Sequence, residues 1–269
     1  MIRARKRFGQ HFLEPVWVEK VITAIDPRPD QDFIEIGPGP GALTRPLTAR
    51  ARSVTAFEID RDLAAALEVD RPTNLKVVEG DFLRLTTDDF VLTTDDSRLR
   101  VAGNLPYNVA SPIMFKLVEL HAAGVPMMDA TLMLQREVAD RLVAPPGSKE
   151  YGVLSILIAH AADVETVLKL PAGAFRPPPK VLSSLVRLRF RAPHPPVRDL
   201  AMFGRIVQAV FTRRRKTMAN ALLALDDGTA PKLRPAEALA AAGLDGSRRP
   251  ETLSIAEFAR LADIYVPRE

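Results

Sequence analysis

A buried strand pattern that stops at three alternating glycines is the strongest constraint on how this chain folds. Residues Phe33 to Ile36, which are apolar except for Glu35, predict a short buried strand. It leads directly into Gly37-Pro38-Gly39-Pro40-Gly41, and residues 42–51 then predict a helix. Glycines let the backbone turn sharply and approach a ligand closely. This order predicts the first unit of an α/β sheet that holds a nucleotide-like cofactor.

Strands and helices continue to alternate as far as about residue 190. Further strands are predicted at 53–58, 75–79, 100–103, 130–135, 161–168 and 183–190, and helices at 62–69 and 113–121. Repeated β-α units predict a mostly parallel sheet with helices on both faces. After the linker at 192–196 the pattern is helical, at 199–211, 217–225, 235–242 and 255–264. We therefore expect an α/β domain over 1–190 and a small all-α domain over 197–269.

The positive charge of the chain is concentrated in its C-terminal segment. The net charge is +4, with 13 Lys/Arg and 9 Asp/Glu in 191–269 and 24 of each in 1–190. The excess lies mainly in Arg213, Arg214, Arg215 and Lys216, and the N-terminal tail is a second basic cluster. Basic clusters on a neutral body predict a polyanionic partner. A plain solvated surface is the alternative interpretation.

Other features of the composition exclude several classes of protein. Cysteine is absent, which excludes a disulfide framework, a thiol nucleophile and a cysteine-based zinc site. We find no apolar run of about 18 residues and no signal-peptide core, so we expect a cytoplasmic protein without a membrane span. The four histidines have no metal-ligand spacing, so we expect no metal. A monomer is taken as the default.

Candidate chemical residues follow four of the predicted strands at the point where each strand ends. They are Gly37, Glu58, Asp81 and Asn104. Ligands of open α/β sheets bind at this edge. Glu58 can accept hydrogen bonds from ribose hydroxyls, and Asp81 can accept one from an adenine amino group, although Asp81 also suits a helix cap. The glycine turn by itself fits a dinucleotide as well as another adenosine-containing cofactor.

The tetrapeptide Asn104-Leu105-Pro106-Tyr107 distinguishes between these cofactors. An exocyclic amino group of a base is a weak nucleophile because its lone pair is delocalised into the ring. The Asn104 side-chain oxygen and the Leu105 carbonyl can accept its two hydrogens, while Pro106 fixes the turn. Tyr107 can stack on the base, which contributes roughly 1–3 kcal/mol. This arrangement indicates methyl transfer to a base nitrogen from a sulfonium donor, with neither a metal nor a strong base.

A proline-rich loop provides further candidates. In Phe175-Arg176-Pro177-Pro178-Pro179-Lys180, consecutive prolines hold an extended backbone. The loop can present Phe175 to the other face of the base and Lys180 to a phosphate. From composition alone, a purely structural loop is equally compatible.

Taken in order, these motifs resemble the ribosomal RNA adenine dimethyltransferases. Residues 8–13 (Phe-Gly-Gln-His-Phe-Leu), the glycine turn, the Asn104 motif and the proline-rich loop carry the resemblance, and within the family the chain is most similar to the small-subunit 16S enzymes. The resemblance implies a Rossmann-like sheet that binds S-adenosylmethionine and a helical C-terminal domain that binds RNA or the ribosome. It also implies dimethylation of two adjacent adenines in a hairpin near the 3′ end of 16S rRNA, on an immature 30S subunit.

The resemblance also assigns roles to individual residues. His11 and Leu13 would line the cofactor, Gly37 would approach its methionine end, and Asn104 would hold the target amino group. The family commonly has asparagine at the position of His11, so cofactor affinity would differ if the side chain makes the contact. Three alternatives stay open: a 23S rRNA methyltransferase of the macrolide-resistance type, a subunit assembly factor in which binding is the main role, and a nicotinamide-dependent dehydrogenase.

Overall fold

A computed structural model describes residues 11–90, 99–225 and 233–267, which belong to two compact units. The first unit comprises the described residues of Met1–Ala139 and Asp163–Arg191, and the second those of Asp140–Ala162 and Ala192–Glu269. The sequence pattern placed residues 140–162 in the first domain. They belong to the second unit because Tyr151 and Ile156 are buried in its hydrophobic core.

A seven-stranded sheet forms the centre of the first unit within the described residues. The strands of the chain are β1 (Phe12–Leu13), β2 (Asp32–Ile36), β3 (Ser53–Glu58), β4 (Leu75–Glu79), β5 (Leu99–Asn104), β6 (Met127–Gln135), β7 (Ala162–Leu170), β8 (Phe175–Arg176) and β9 (Ser183–Phe190). The sheet has the order β4-β3-β2-β5-β6-β9-β7. Strands β4, β3, β2, β5 and β6 run parallel, and β9 is antiparallel to β6. The predicted, mostly parallel α/β sheet is confirmed.

The helices surround this sheet or form the second unit. They are α1 (Pro15–Ile25), α2 (Thr44–Thr48), α3 (Arg61–Glu68), α4 (Ala110–Ala122), α5 (Arg136–Leu142), α6 (Val153–Ala161), α7 (Leu200–Thr212), α8 (Met218–Ala221), α9 (Pro235–Ala241) and α10 (Ile255–Ile264). The sequence pattern did not assign α1, α5 and α6. Helix α1 has Pro15 in its first turn, which is a usual start signal, but its N-cap residue is Glu14 and not Ser, Thr, Asp or Asn.

Arg100 connects helix α1 to the base of the sheet. The side chain is buried, and its Nε and Nη2 donate to the two oxygens of the Asp129 carboxylate, each at 2.8 Å. The same guanidinium donates to the carbonyls of Ile25 and Asp26 at 2.9 and 3.0 Å. Carbonyls at a helix C-terminus lack partners within the helix, so Arg100 satisfies them and fixes the end of α1. The position of α1 matters because the strand that precedes it lines the candidate site.

The second unit is built from helices packed around one apolar core. Met202, Phe203, Ile206, Val207 and Val210 of α7 are buried at helical spacing in this core. Helix α10 begins with a capping box, in which the Ser254 and Glu257 side chains each bond the other residue's backbone N–H. Helices α7, α9 and α10 occur where the sequence predicted them, and the predicted 217–225 helix is divided into α8 and a 3-10 turn at Leu222–Leu225.

Candidate functional site

The candidate site is a pocket at the carboxyl ends of β2, β3, β4 and β5. From β2 the chain passes outward to β3 and β4, then crosses over to β5 on the other side. The crevice at such a change of direction is where open α/β sheets bind ligands. Gly37, Glu58, Asp81 and Asn104 all line it. The structure thus brings together the four residues that the sequence placed at strand ends.

The glycine turn opens into this pocket. Gly37, Gly39 and Gly41 have φ angles of +66°, +58° and +86°, a region that side chains with a Cβ rarely occupy. A Cβ added at Gly37 would meet no heavy atom within 4 Å, whereas one at Gly41 would lie 2.9 Å from a Leu67 methyl. Gly37 therefore leaves free space beside the backbone, while at Gly41 the positive φ, more than the contact with the Leu67 methyl, favours glycine.

The Glu58 carboxylate holds the turn together at the end of β3. Its two oxygens accept hydrogen bonds from the backbone N–H groups of Gly39 at 2.9 Å and Asp60 at 2.8 Å. Burial raises the pKa of Glu58, and these two hydrogen bonds oppose the rise. Each carboxylate oxygen has a further lone pair, so Glu58 can still accept from a ligand in the pocket. The structure thus gives Glu58 a structural role, and its role as a ligand acceptor stays a prediction.

Asp81 serves as a cap as well as a pocket residue. Its carboxylate accepts from the Leu83 N–H at 3.0 Å and begins a 3-10 turn at Phe82–Arg84. Ile59 and Phe82 also line the pocket, and neither was singled out from the sequence. Ile59 is 54% exposed although it is apolar. The available signal in the sequence was an isoleucine directly after the strand-end acid Glu58, at the edge where ligands bind.

Glu35 is the functional candidate that sequence reasoning missed. It is 1% exposed, lines the pocket, and its Oε2 has no hydrogen-bond partner among the described residues. Burial raises the pKa of Glu35 to about 8, and the Glu58 charge adds to the rise. The nearby Thr44 hydroxyl opposes it, although its oxygen makes no hydrogen bond of standard geometry within the described chain. The signal in the sequence was an acid inside an otherwise apolar strand.

The Asn104 motif forms the side of the pocket that follows β5. Asn104 Nδ2 donates to the His11 carbonyl at 2.8 Å, so its Oδ1 is the amide atom left to accept from a ligand. Leu105 is buried and, like Pro106, lines the pocket. The Tyr107 hydroxyl lies 2.8 Å from Ser183 Oγ, and burial raises the pKa of Tyr107. The tyrosine ring is therefore held in one orientation at the pocket.

The N-terminal strand and the proline-rich loop meet beside this motif. His11 and Leu13 line the pocket, and β1 pairs antiparallel with β8, with Leu13 opposite Phe175. Phe175 is 2% exposed, lies outside the pocket lining and packs in the sheet core. The structure thus places the Phe175 ring in the core and outside the pocket lining, and its stacking on a base stays a prediction. Lys180 is exposed and has no partner within the described residues.

The basic segment 213–216 lies in the second unit and follows α7. Arg214 donates to the Ser148 carbonyl at 3.1 Å and lies 3.9 Å from the Glu251 carboxylate. Arg213 makes one long bond, 3.3 Å, to the Asn220 carbonyl. Arg215 and Lys216 are exposed and unpaired within the described ranges. Within this segment Arg214 therefore has a structural role, whereas Arg215 and Lys216 face solvent.

In ranges 11–90, 99–225 and 233–267, no three His, Cys, Asp or Glu side chains are grouped so that they could hold a metal ion. No helix in those ranges is both long and apolar enough to cross a membrane. Residues 8–10 of the N-terminal motif and the basic tail before them lie outside the described residues.

A doubly wound sheet with a glycine turn and an Asn-Leu-Pro-Tyr motif at its switch point defines an α/β enzyme of the nucleotide-binding class. Residues 1–265 match the model of the ribosomal RNA adenine dimethylase family. The chain belongs to this family and is an rRNA adenine dimethyltransferase by class.

Individual relatives agree with this assignment. The chain is 44% identical to the ribosomal RNA small subunit methyltransferase A of Acinetobacter baylyi, over 98% of this chain and 93% of the relative. It is 42% identical to the protein of the same name from Methylibium petroleiphilum, over 99% and 98%.

Two solved structures have the same fold over nearly the full chain. A dimethyladenosine transferase from Plasmodium falciparum superposes with a TM-score of 0.72 at 24% identity, covering 93% of this chain and 96% of that one. The 23S rRNA methyltransferase ErmE superposes with a TM-score of 0.63 at 29% identity, covering 94% and 99%.

Proposed function

We propose that this protein uses S-adenosylmethionine to dimethylate N6 of two adjacent adenines in a hairpin near the 3′ end of 16S rRNA. Its substrate would be the immature 30S subunit during ribosome biogenesis. The observation that carries the proposal is the pocket itself, where the glycine turn, two strand-end acids and the Asn104 motif lie at one switch point. The glycine turn with its two acids would hold the cofactor, and the Asn104 motif would hold the acceptor base. Neither of these two groups of residues alone requires methyl transfer to a base.

The residues present fit the cofactor. The open space beside Gly37 suits close approach of its methionine end. Glu58 and Asp81 are acceptors for the ribose hydroxyls and the adenine amino group, and Ile59 offers an apolar surface to the ring. When bound, S-adenosylmethionine supplies a methyl group on a positively charged sulfur, from which the leaving group departs neutral. The protein therefore has to position the two reactants and provide no strong base.

Asn104 and Leu105 would prepare the acceptor nitrogen. The Asn104 Oδ1 and the Leu105 carbonyl oxygen accept the two hydrogens of the adenine amino group and favour a pyramidal nitrogen with a localised lone pair. Pro106 keeps these two acceptors in one turn. Tyr107 stacks on the base, and its bond to Ser183 holds the ring in place. The adenine would be unstacked from the hairpin loop to reach this pocket.

The RNA would be held by cations that the fold leaves unpaired. Arg215 and Lys216 in the second unit and Lys180 in the proline-rich loop are exposed and have no partner within the described residues. We expect Arg215→Glu with Lys216→Glu to weaken binding to 30S subunits and to reduce its salt dependence, because fewer counterions are released. Arg214→Ala should mainly destabilise the second unit. Unchanged affinity in the double reversal would make the pair a plain solvated surface.

The choice of the small subunit rests on the relatives. Two proteins named for the small subunit are 44% and 42% identical to the chain, compared with 29% for ErmE, which is named for 23S rRNA. Membership of the adenine dimethylase family also sets aside the dehydrogenase alternative that the glycines alone left open. Action on ribosomal RNA is consistent with a cytoplasmic location.

Methyl transfer from labelled S-adenosylmethionine tests the proposal. Unmethylated 30S subunits and 23S rRNA are offered in parallel, and the modified base is identified after digestion. N6,N6-dimethyladenine in 16S rRNA is expected. Label in 23S rRNA would instead identify a methyltransferase of the resistance type, and the absence of label in both would reject catalysis on rRNA.

Asn104→Ala separates catalysis from a binding role. The variant should lose transfer while it still binds 30S subunits, because the basic segment is untouched. Loss of both together would contradict a separate binding role. Asn108→Ala is the matched control, since Asn108 also lines the pocket but has no assigned task.

A further inference from the structure

We infer that His11 is a positioning residue for the acceptor side of the reaction. Its side chain fixes the main-chain carbonyl that orients the Asn104 amide. This inference rests on the proposed function and adds a task to a residue for which the family resemblance implied only a cofactor contact.

The His11 side chain is held at two points. Nδ1 lies 2.7 Å from the Pro177 carbonyl oxygen. A carbonyl can only accept, so Nδ1 carries the hydrogen and donates. The imidazole ring also stacks on Tyr107, with centroids 5.6 Å apart and planes inclined by 26°. His11 thus joins the N-terminal strand to both the proline-rich loop and the Asn104 motif.

The main chain of the same residue sets the direction of the Asn104 amide. Asn104 Nδ2 donates to the His11 carbonyl at 2.8 Å across 93 positions of sequence. Turning the amide by half a rotation would place its oxygen against that carbonyl, where two acceptors repel. While residue 11 stays in place, Oδ1 must therefore face the opposite side. A shift of the His11 main chain releases this constraint and disorders the acceptor of the target amino group.

The side-chain contacts can be separated by substitution. In asparagine, Nδ2 is bonded to Cγ as Nδ1 is in histidine, so His11→Asn retains a donor for the Pro177 carbonyl and loses the ring. His11→Phe retains a ring against Tyr107 and loses the donor. His11→Ala loses both. Val16→Ala is the control, since Val16 is 71% exposed in the first turn of α1 and lies outside the pocket lining.

The readouts are kcat at saturating RNA and cofactor and the affinity for S-adenosylhomocysteine by calorimetry. We expect His11→Ala to lower kcat on the order of 10- to 100-fold and to change the dissociation constant by less than about twofold. His11→Asn should keep kcat within about threefold of the wild type, and His11→Phe should fall between the other two. A purely structural or cofactor role would not produce this split between kcat and affinity.

Several results would overturn the inference. They are an unchanged kcat in His11→Ala, weaker cofactor binding with unchanged kcat, or a His11→Asn variant as slow as His11→Ala. If His11→Ala does not fold, His11→Asn and His11→Phe provide the test. A higher kcat for His11→Phe than for His11→Asn would refute the role of the hydrogen bond to the Pro177 carbonyl. A wild-type protein that transfers no methyl group to 16S rRNA refutes the proposed function as well, whereas an active wild type with unaffected variants refutes only this inference.

Discussion

Replacing Glu35 with glutamine should change how the stability of the first unit depends on pH. The carboxyl group is buried, and its pKa is raised from 4.5 to about 8. Below pH 4.5 it is protonated in the folded and unfolded chain alike. Between these two pKa values only the folded chain retains the proton. The free energy of unfolding therefore falls as pH rises towards 8. At 1.36 kcal/mol per pKa unit, the full loss is about 5 kcal/mol.

Glutamine at position 35 does not titrate. The difference in the free energy of unfolding between the two proteins therefore reports the titration of Glu35. Between about pH 5.5 and about pH 7.5, the stability of Glu35→Gln relative to the wild type should rise by roughly 3 kcal/mol. The buried amide adds a constant cost or gain of its own, because its hydrogen bonds do not change with pH. The pH-dependent part of the difference is therefore the quantity to compare.

Urea denaturation followed by tryptophan fluorescence provides the assay. Trp17 is the single tryptophan of the chain and packs against the core of the first unit, so its signal reports the unfolding of that unit. Glu79 is exposed at the end of β4, and Glu79→Gln is the matched control for loss of a carboxylate outside the core. A difference between Glu35→Gln and wild type that is the same at both pH values would refute the reasoning.

Two further substitutions test how the site is supported. A Cβ at Gly103 would lie 2.8 Å from a backbone carbonyl oxygen, so Gly103→Ala should cost about 1–3 kcal/mol and slow methyl transfer. At Gly173 an added Cβ would meet no heavy atom within 4 Å, so Gly173→Ala should change neither stability nor methyl transfer. Equal effects of the two substitutions would contradict the close contact between Gly103 and the backbone carbonyl. Arg100→Met should cost about 3–5 kcal/mol by the Trp17 assay because it leaves Asp129 buried without its main partner. Adding Asp129→Leu should recover part of that loss, and additive losses would show that the pair is not coupled.

The sequence by itself determined the local architecture and the edge that carries the site. The predicted strands end at the residues where the structure ends β2, β3 and β4, because β-branched and aromatic residues give way there to glycines or acids. Glycines at 37, 39 and 41 were required for a backbone with positive φ, and this requirement is visible in residue types. The parallel arrangement then brought Gly37, Glu58, Asp81 and Asn104 to one edge.

Only the tertiary structure decided which candidate side chains are exposed to a ligand and which are held by other parts of the protein. Phe175 is held in the core by β8 and Arg214 is bonded to Ser148, although composition makes each a candidate for the RNA. The raised pKa of Glu35 arises from its burial and from the nearby charge of Glu58. The contact of His11 with Asn104 spans 93 positions. Such facts depend on distances between segments far apart in sequence, which periodicity and residue type do not encode.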